Sequence, residues 1–208
     1  MPGIYLSAAS KSSGKTTVST GLCAALSKRG ETVQPFKKGP DYIDPMWLAA
    51  ASGRSCYNLD FNTQDNDEIL ELYRCHQRPG QFSLVEGNKG LFDGVDVHGS
   101  DSNAAMAKLL KLPVILVLDT QGITRGVAPL LNGYQSFDPE IQHAGVILNK
   151  VGGSRHEGKL RNVIEQYTDF DVLGAVPRDA DLVIPERHLG LVTAAEDPRA
   201  LDHIDLLG

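Results

Sequence analysis

The sequence predicts a doubly wound α/β fold, a mainly parallel sheet with helices on both faces, and three observations carry the prediction. Short runs of β-branched and other apolar residues recur along the chain, each followed by a stretch with helical spacing. These runs are apolar throughout instead of alternating, which is the pattern of strands covered on both faces. The first run leads directly into Gly14-Lys15-Thr16 at the head of a helix-like stretch, the strand–loop–helix order of a phosphate-binding loop.

The elements follow in order. Residues 4–8 form the first predicted strand, and the period of 16–29 predicts the helix after it. Further strands are read at 32–36, 83–86, 114–119, 145–149 and 171–176. Helices are read between them at 66–77, 103–110, 124–134 and 155–167. Ligands of such sheets bind beyond the carboxyl ends of the strands. The informative residues are therefore 9–17, 37–44, 86–93, 119–125, Asn149 and Pro177. After about Leu191 the chain turns polar and acidic and then weakly helical. We read 1–191 as one domain and 192–208 as the start of a linker.

Bulk properties narrow the function classes. A chain of 208 residues with 41% apolar composition can bury one good core. A formal charge of −6 and a pI near 5.5 argue against a general nucleic-acid binder. Cys23, Cys56 and Cys75 lie far apart with no metal-type spacing, consistent with a reducing compartment. No secretory signal is read at the N-terminus, and the apolar run PVILVLD is too short to span a bilayer. A cytoplasmic protein without membrane contact is expected.

The loop ASKSSGKTT replaces the first glycine of the usual phosphate-loop pattern with Ala9. That position needs only a small side chain, so the physics survives: successive N–H groups wrap a phosphate, Lys15 reaches its oxygens, and the Thr16 hydroxyl holds Mg²⁺. Ser12, Ser13 and Thr17 complete the cradle. A phosphate loop also wants a carboxylate at a strand end near the metal; pattern alone favours Asp119, after its long apolar run, whereas the glycine after Glu86 and a second acid at Asp93 suggest a tight loop close to the phosphates. A third cluster, KKGPDYIDP, packs Lys37, Lys38, Asp41 and Asp44 into eight residues. Its lysines suit a phosphoryl group or an anionic substrate, and its aspartates offer hard oxygen ligands.

SSGKTT, KKGPDYIDP and VEGNKGLFDG, in that order, resemble the hallmarks of the cobyrinic acid a,c-diamide synthase family. The resemblance continues through GVILNKVGGSRHEGKL to GAVPRD and ERHLGL, and covers the chain to about Leu191. It implies a P-loop fold similar to dethiobiotin synthetase. It also implies a reaction in which ATP, with Mg²⁺, phosphorylates a tetrapyrrole carboxylate so that ammonia can displace the phosphate. The resemblance places Gly14, Lys15 and Thr16 on phosphates, with Thr16 also on the metal. Asp41, Asp44 and Glu86 would hold or orient metal ions, Asp93 would lie near the reacting carboxylate, and Lys37 or Lys38 would neutralise developing charge. Asn149 and Pro177 are candidates for the adenine pocket, and Arg187 for a further nucleotide contact.

Two departures stand out. The family's glutaminase domain, with its cysteine nucleophile and His-Glu pair, has no counterpart here. The chain is therefore expected to be the synthetase half of a longer protein or to work with a separate glutaminase. Asn88-Lys89 stands where the cobyrinate enzymes commonly carry an apolar pair. That resembles a branch associated with dissimilatory sulfite reductase and proposed to amidate sirohaem. Two rival readings are an ATPase switch of the ParA/MinD type and a small-molecule ligase such as dethiobiotin synthetase. The switch proteins place a second lysine five residues before the phosphate lysine, where this chain has Ser10. Homodimerisation is compatible with the class.

Overall fold

The computed structural model describes residues 2–184, 186, 187 and 190–208, with 186, 187 and 190 as backbone only. Seven strands form one sheet: β1 (Gly3–Ala8), β2 (Val33–Lys38), β3 (Tyr57–Leu59), β4 (Phe82–Glu86), β5 (Val114–Asp119), β6 (His143–Val151) and β7 (Val172–Pro177). Their order is β3-β2-β4-β1-β5-β6-β7, and every pairing is parallel. A parallel pair needs a crossover, and a helix lies in each connection from β1 to β7.

Alternation along each strand feeds two cores. In β5, Val114, Leu116 and Leu118 join a cluster with Ile69 and Tyr73 of α3 (Asn66–His76) and Met106 and Leu110 of α4 (Asn103–Leu110). Leu131 of α5 (Val127–Phe137) and Leu160 and Ile164 of α6 (Ser154–Tyr167) complete that face. Ile115 and Val117 point the other way and pack with Val18 of α1 (Lys15–Lys28). On that second face Cys23 and Ala24 of α1 meet Trp47 and Leu48 of α2 (Ile43–Ser52), and Ala200 and Ile204 of α7 (Ala200–Leu207). The central strands β1 and β5 are thus largely apolar on both faces because each face has its own helical layer. The predicted doubly wound α/β fold is the observed one.

The differences from the predicted elements have local causes. The segment holding Pro40 and Pro45 carries α2: Pro45 falls in the first helical turn, where a missing N–H costs no intrahelical bond. Pro129 likewise lies in the first turn of α5, so that helix starts at Val127, three residues later than its period suggests. The tail carries α7, which seats against α1 where a Cβ on Gly21 would stand 2.7 Å from the Leu207 carbonyl. A short antiparallel pair, β8 (Glu186–Arg187) and β9 (Gly190–Leu191), precedes it. Among the described residues no helix is long and apolar enough to cross a membrane.

Candidate functional site

The carboxyl ends of β1, β2, β4 and β6 open onto one cleft of about 1100 Å³. Gly14 sets its floor. Its φ of +87° lies in the left-handed region, and a Cβ there would stand 2.1 Å from the Asn149 side chain. Glycine is required on both counts. Helix α1 then starts with neither a side-chain cap nor an acid in its first turn. Its leading N–H groups and the positive end of its dipole are left for an anion.

Lys15 is buried and reaches across the loop, its Nζ donating to the Lys89 carbonyl at 2.8 Å. Burial lowers its pKa to about 8, with Glu86 opposing. Thr16 Oγ1 donates to Glu86 Oε1 at 3.0 Å, and Ser19 Oγ donates to Glu86 Oε2. Of the two strand-end acids, Glu86 is therefore the one beside the phosphate loop. Asp119 instead pairs with Lys150 at 2.7 Å, and Lys150 also donates to the Ser12 carbonyl.

Lys37 ties the third cluster to the first two. It is 2% exposed, and its Nζ lies 2.5 Å from Asp44 Oδ2, 2.6 Å from Glu86 Oε1 and 3.8 Å from Asp41 Oδ2. Burial works against all these charges. For Lys37 the carboxylates outweigh it and hold the ammonium above its ordinary pKa. Asp44 is held below the usual carboxylate range by Lys37, whereas burial pushes Glu86, 0% exposed, above it. Burial and the charge of Asp44 also push Asp41 up. Asp41 Oδ1 accepts from the Ile43 and Asp44 N–H groups, so it both starts α2 and aims Asp44 at Lys37.

Lys38, next along β2, is carried to the opposite face by strand alternation. It sits 5.8 Å from the Phe61 ring centroid and lines a smaller pocket with Asp93. Asn149 donates from Nδ2 to the Ser13 carbonyl at 2.8 Å, bracing the loop, while lining the cleft with Ser12, Thr17 and Pro177. Ser13 is buried behind the loop, its hydroxyl on the Ser10 carbonyl. The side chain of Arg187 lies outside the described residues.

Two positioning residues escaped sequence reasoning. Asn103 accepts the Tyr5 hydroxyl at 2.8 Å and the Asn88 N–H at 3.1 Å, and donates to the carbonyls of Asn88 and Gly90. It fastens the loop after β4 over the phosphate loop. Ser19, one turn into α1, holds the outer oxygen of Glu86. The capping serine Ser102 ahead of Asn103 was the visible signal for the first; nothing local marks the second.

The donors fit a hard divalent cation: a hydroxyl on Thr16 and carboxylates on Glu86, Asp41 and Asp44. Among the described residues no three acidic, histidine or cysteine side chains are arranged to hold a metal by themselves. Such a set suits Mg²⁺ bound through one or two carboxylates together with substrate phosphates.

The family described as CobQ/CobB/MinD/ParA nucleotide binding domain matches residues 6–192. A cobyrinate a,c-diamide synthase of Magnetococcus marinus is 48% identical over 208 residues, all of this chain and 44% of that protein. A hydrogenobyrinate a,c-diamide synthase of Brucella anthropi is 46% identical over 197 residues, 94% of this chain and 45% of its own. The chain thus spans less than half the length of these relatives. Among solved structures, chloroplast FtsY of Physcomitrella patens aligns with 99% of this chain and 65% of its own, with a TM-score of 0.55 and 19% identity. HypB of Helicobacter pylori, in complex with nickel, aligns with 100% of this chain and 85% of its own, with a TM-score of 0.53 and 14% identity. At those identities the likeness concerns the fold alone.

Proposed function

The chain belongs to the family of the CobQ/CobB/MinD/ParA nucleotide binding domain, and from that premise we propose that it is the carboxylate-activating half of an ATP-dependent tetrapyrrole amide synthetase. The observation that carries this reading is the meeting of three separate segments at Glu86. Thr16 of the phosphate loop, Lys37 of β2 and, through Lys37, Asp44 of α2 are linked by contacts of 3.0 Å or less. A nucleotide switch needs the first of these; a cation buried among acids beside it suits phosphoryl transfer to an anionic acceptor.

ATP lies with its phosphates at the head of α1, held by the loop N–H groups and Lys15. Thr16, Glu86 and Asp41 would hold Mg²⁺, which when bound offsets phosphate charge. Asn149, its amide nitrogen engaged by the loop, turns Oδ1 to the adenine amino group, with Pro177 against the base. A carboxylate oxygen of the acceptor attacks the γ-phosphorus. The bond to the bridging oxygen breaks, and its electron pair leaves with ADP. The product is an acyl phosphate, whose carbonyl carbon has gained a good leaving group. Lys37 faces the charge that builds during transfer, and Asp44 keeps it aimed; catalysis here is positioning and charge stabilisation. Asp93, expected near the reacting carboxylate, acts here through the loop after β4, from whose Gly90 N–H it accepts at 3.0 Å. Ammonia attacks the carbonyl carbon and loses a proton, and inorganic phosphate departs with the C–O electron pair.

The names of the relatives favour the acetate side chains of cobyrinate as acceptors. Their extra length leaves room for a glutaminase region that supplies ammonia after a linker. Lys89, exposed between cleft and solvent, keeps sirohaem as the alternative acceptor. We place the enzyme in the cytoplasm.

The test supplies ATP, Mg²⁺ and free ammonium, with cobyrinate, sirohydrochlorin and sirohaem offered separately and products read by mass spectrometry. Amide should form on cobyrinate and be lost in Lys15→Ala and Glu86→Gln. ATP binding with no amide on any acceptor, also when a glutaminase-bearing chain is used, would refute the reading.

A further inference from the structure

Beside the nucleotide cleft, and sharing Pro40, Asn88 and Lys89 with it, lies a second pocket of about 190 Å³. Lys38 forms part of its wall. Only 6% exposed, Lys38 has neither a hydrogen bond nor an ion pair within 4.0 Å among the described residues; its neighbour is the Phe61 ring. A buried ammonium without a partner is costly. Here burial already drags its pKa down, against the pull of Asp101 and Asp60.

The acids of the same pocket are committed elsewhere. Asp60 accepts from the Asn62 backbone and side chain and from Thr63; Asp101 accepts from the N–H groups of Val95 and Asp96; Asp93 accepts from Gly90. They fasten loops, and Lys38 is left with its charge turned to the pocket. Phe61 and Val95, the latter 86% exposed, give the pocket apolar wall beside this cation. Lys89 stands where the pocket meets the cleft.

We infer that this pocket is a subsite for a second, non-reacting carboxylate arm of the acceptor, with Lys38 as its counter-ion and Phe61 and Val95 against the methylenes. The inference rests on the polycarboxylate acceptor proposed above and adds to it a specificity residue. The volume fits one carboxylate side chain and is far too small for a macrocycle. An acceptor anchored there presents a neighbouring arm to the cleft across Asn88 and Lys89.

The test titrates cobyrinate, and separately its fully methyl-esterified form, into wild type, Lys38→Met and Lys38→Arg in the presence of a non-hydrolysable ATP analogue. Lys38→Met keeps the contact with Phe61 while removing the charge. Cobyrinate should bind at least tenfold more weakly to Lys38→Met and recover partly in Lys38→Arg, while the ester binds wild type and Lys38→Met equally. Affinity for the ATP analogue should be the same throughout, which shows that the variants fold. Equal cobyrinate affinity in wild type and Lys38→Met overturns the subsite and leaves the tetrapyrrole reading standing. An equal loss for the ester also overturns it, since the role is then packing. Failure of the wild type to bind cobyrinate overturns the acceptor reading, and the subsite with it.

Discussion

Replacing Lys37 by Met probes the buried charge cluster around Glu86. Lys37 and Glu86 are 2% and 0% exposed and meet at 2.6 Å. At an effective dielectric of 20 that pair attracts with a gross energy of about 6 kcal/mol, much of which desolvation cancels. Removing the cation leaves Glu86 buried, with Asp44 and Asp41 still turned toward it, so Lys37→Met should destabilise the fold by about 3–5 kcal/mol. Glu86→Gln should cost less, about 1–3 kcal/mol, because Lys37 retains Asp44 at 2.5 Å. The double variant removes both charges and should be more stable than the sum of the single losses by about 2 kcal/mol or more. Urea unfolding of the four proteins measures this through the midpoints, provided the slopes stay equal. Additivity within about 0.5 kcal/mol would refute the reasoning, since it would mean the two groups do not feel each other.

Three further outcomes follow from the same geometry. Gly14→Ala adds a Cβ at a φ of +87° and 2.1 Å from Asn149, so affinity for a fluorescent ATP analogue should fall by about tenfold or more. Asn103→Ala unties the loop after β4 and orphans the buried Tyr5 hydroxyl; it should cost about 1–3 kcal/mol in a thermal or urea melt. Thiol labelling of the native protein should modify the exposed Cys75 first. Cys23, whose thiol burial pushes up to about 12, and Cys56, also pushed up, should react only on unfolding.

The parts of the site legible in the sequence are those that are contiguous. Gly14-Lys15-Thr16 declares itself because the cradle is built from successive backbone groups, and the apolar runs of β1, β4 and β5 are long enough to read. Strand β3 spans only Tyr57–Leu59 and borrows its stability from β2, so its own residues carry no period. Helix α2 is masked in the sequence by Pro40 and Pro45, since a proline marks a break unless it falls in a first turn, as Pro45 does. Pattern alone favours Asp119, whose apolar run is the longer, yet Glu86 is the acid that Thr16 and Ser19 reach. Strand order sets both β4 and β5 beside β1, so the choice rests on these side-chain contacts, while Asp119 goes to Lys150. Asn103 and Ser19 act through partners 98 and 67 residues away, a separation that no local window contains. Lys37 and Lys38 are adjacent in sequence, and only the pleat of β2 sends them to different pockets.

The central claim is that ATP activates a carboxylate as an acyl phosphate, and isotope transfer tests it most directly. An acceptor whose carboxylates carry oxygen-18 would be incubated with ATP, Mg²⁺ and ammonium, and the released phosphate analysed by mass spectrometry. The account predicts that each amide formed sends one oxygen-18 atom into inorganic phosphate, with ADP as the other product, and that Lys15→Ala abolishes both. Amide formation with no label in phosphate, or with AMP as the nucleotide product, would contradict it.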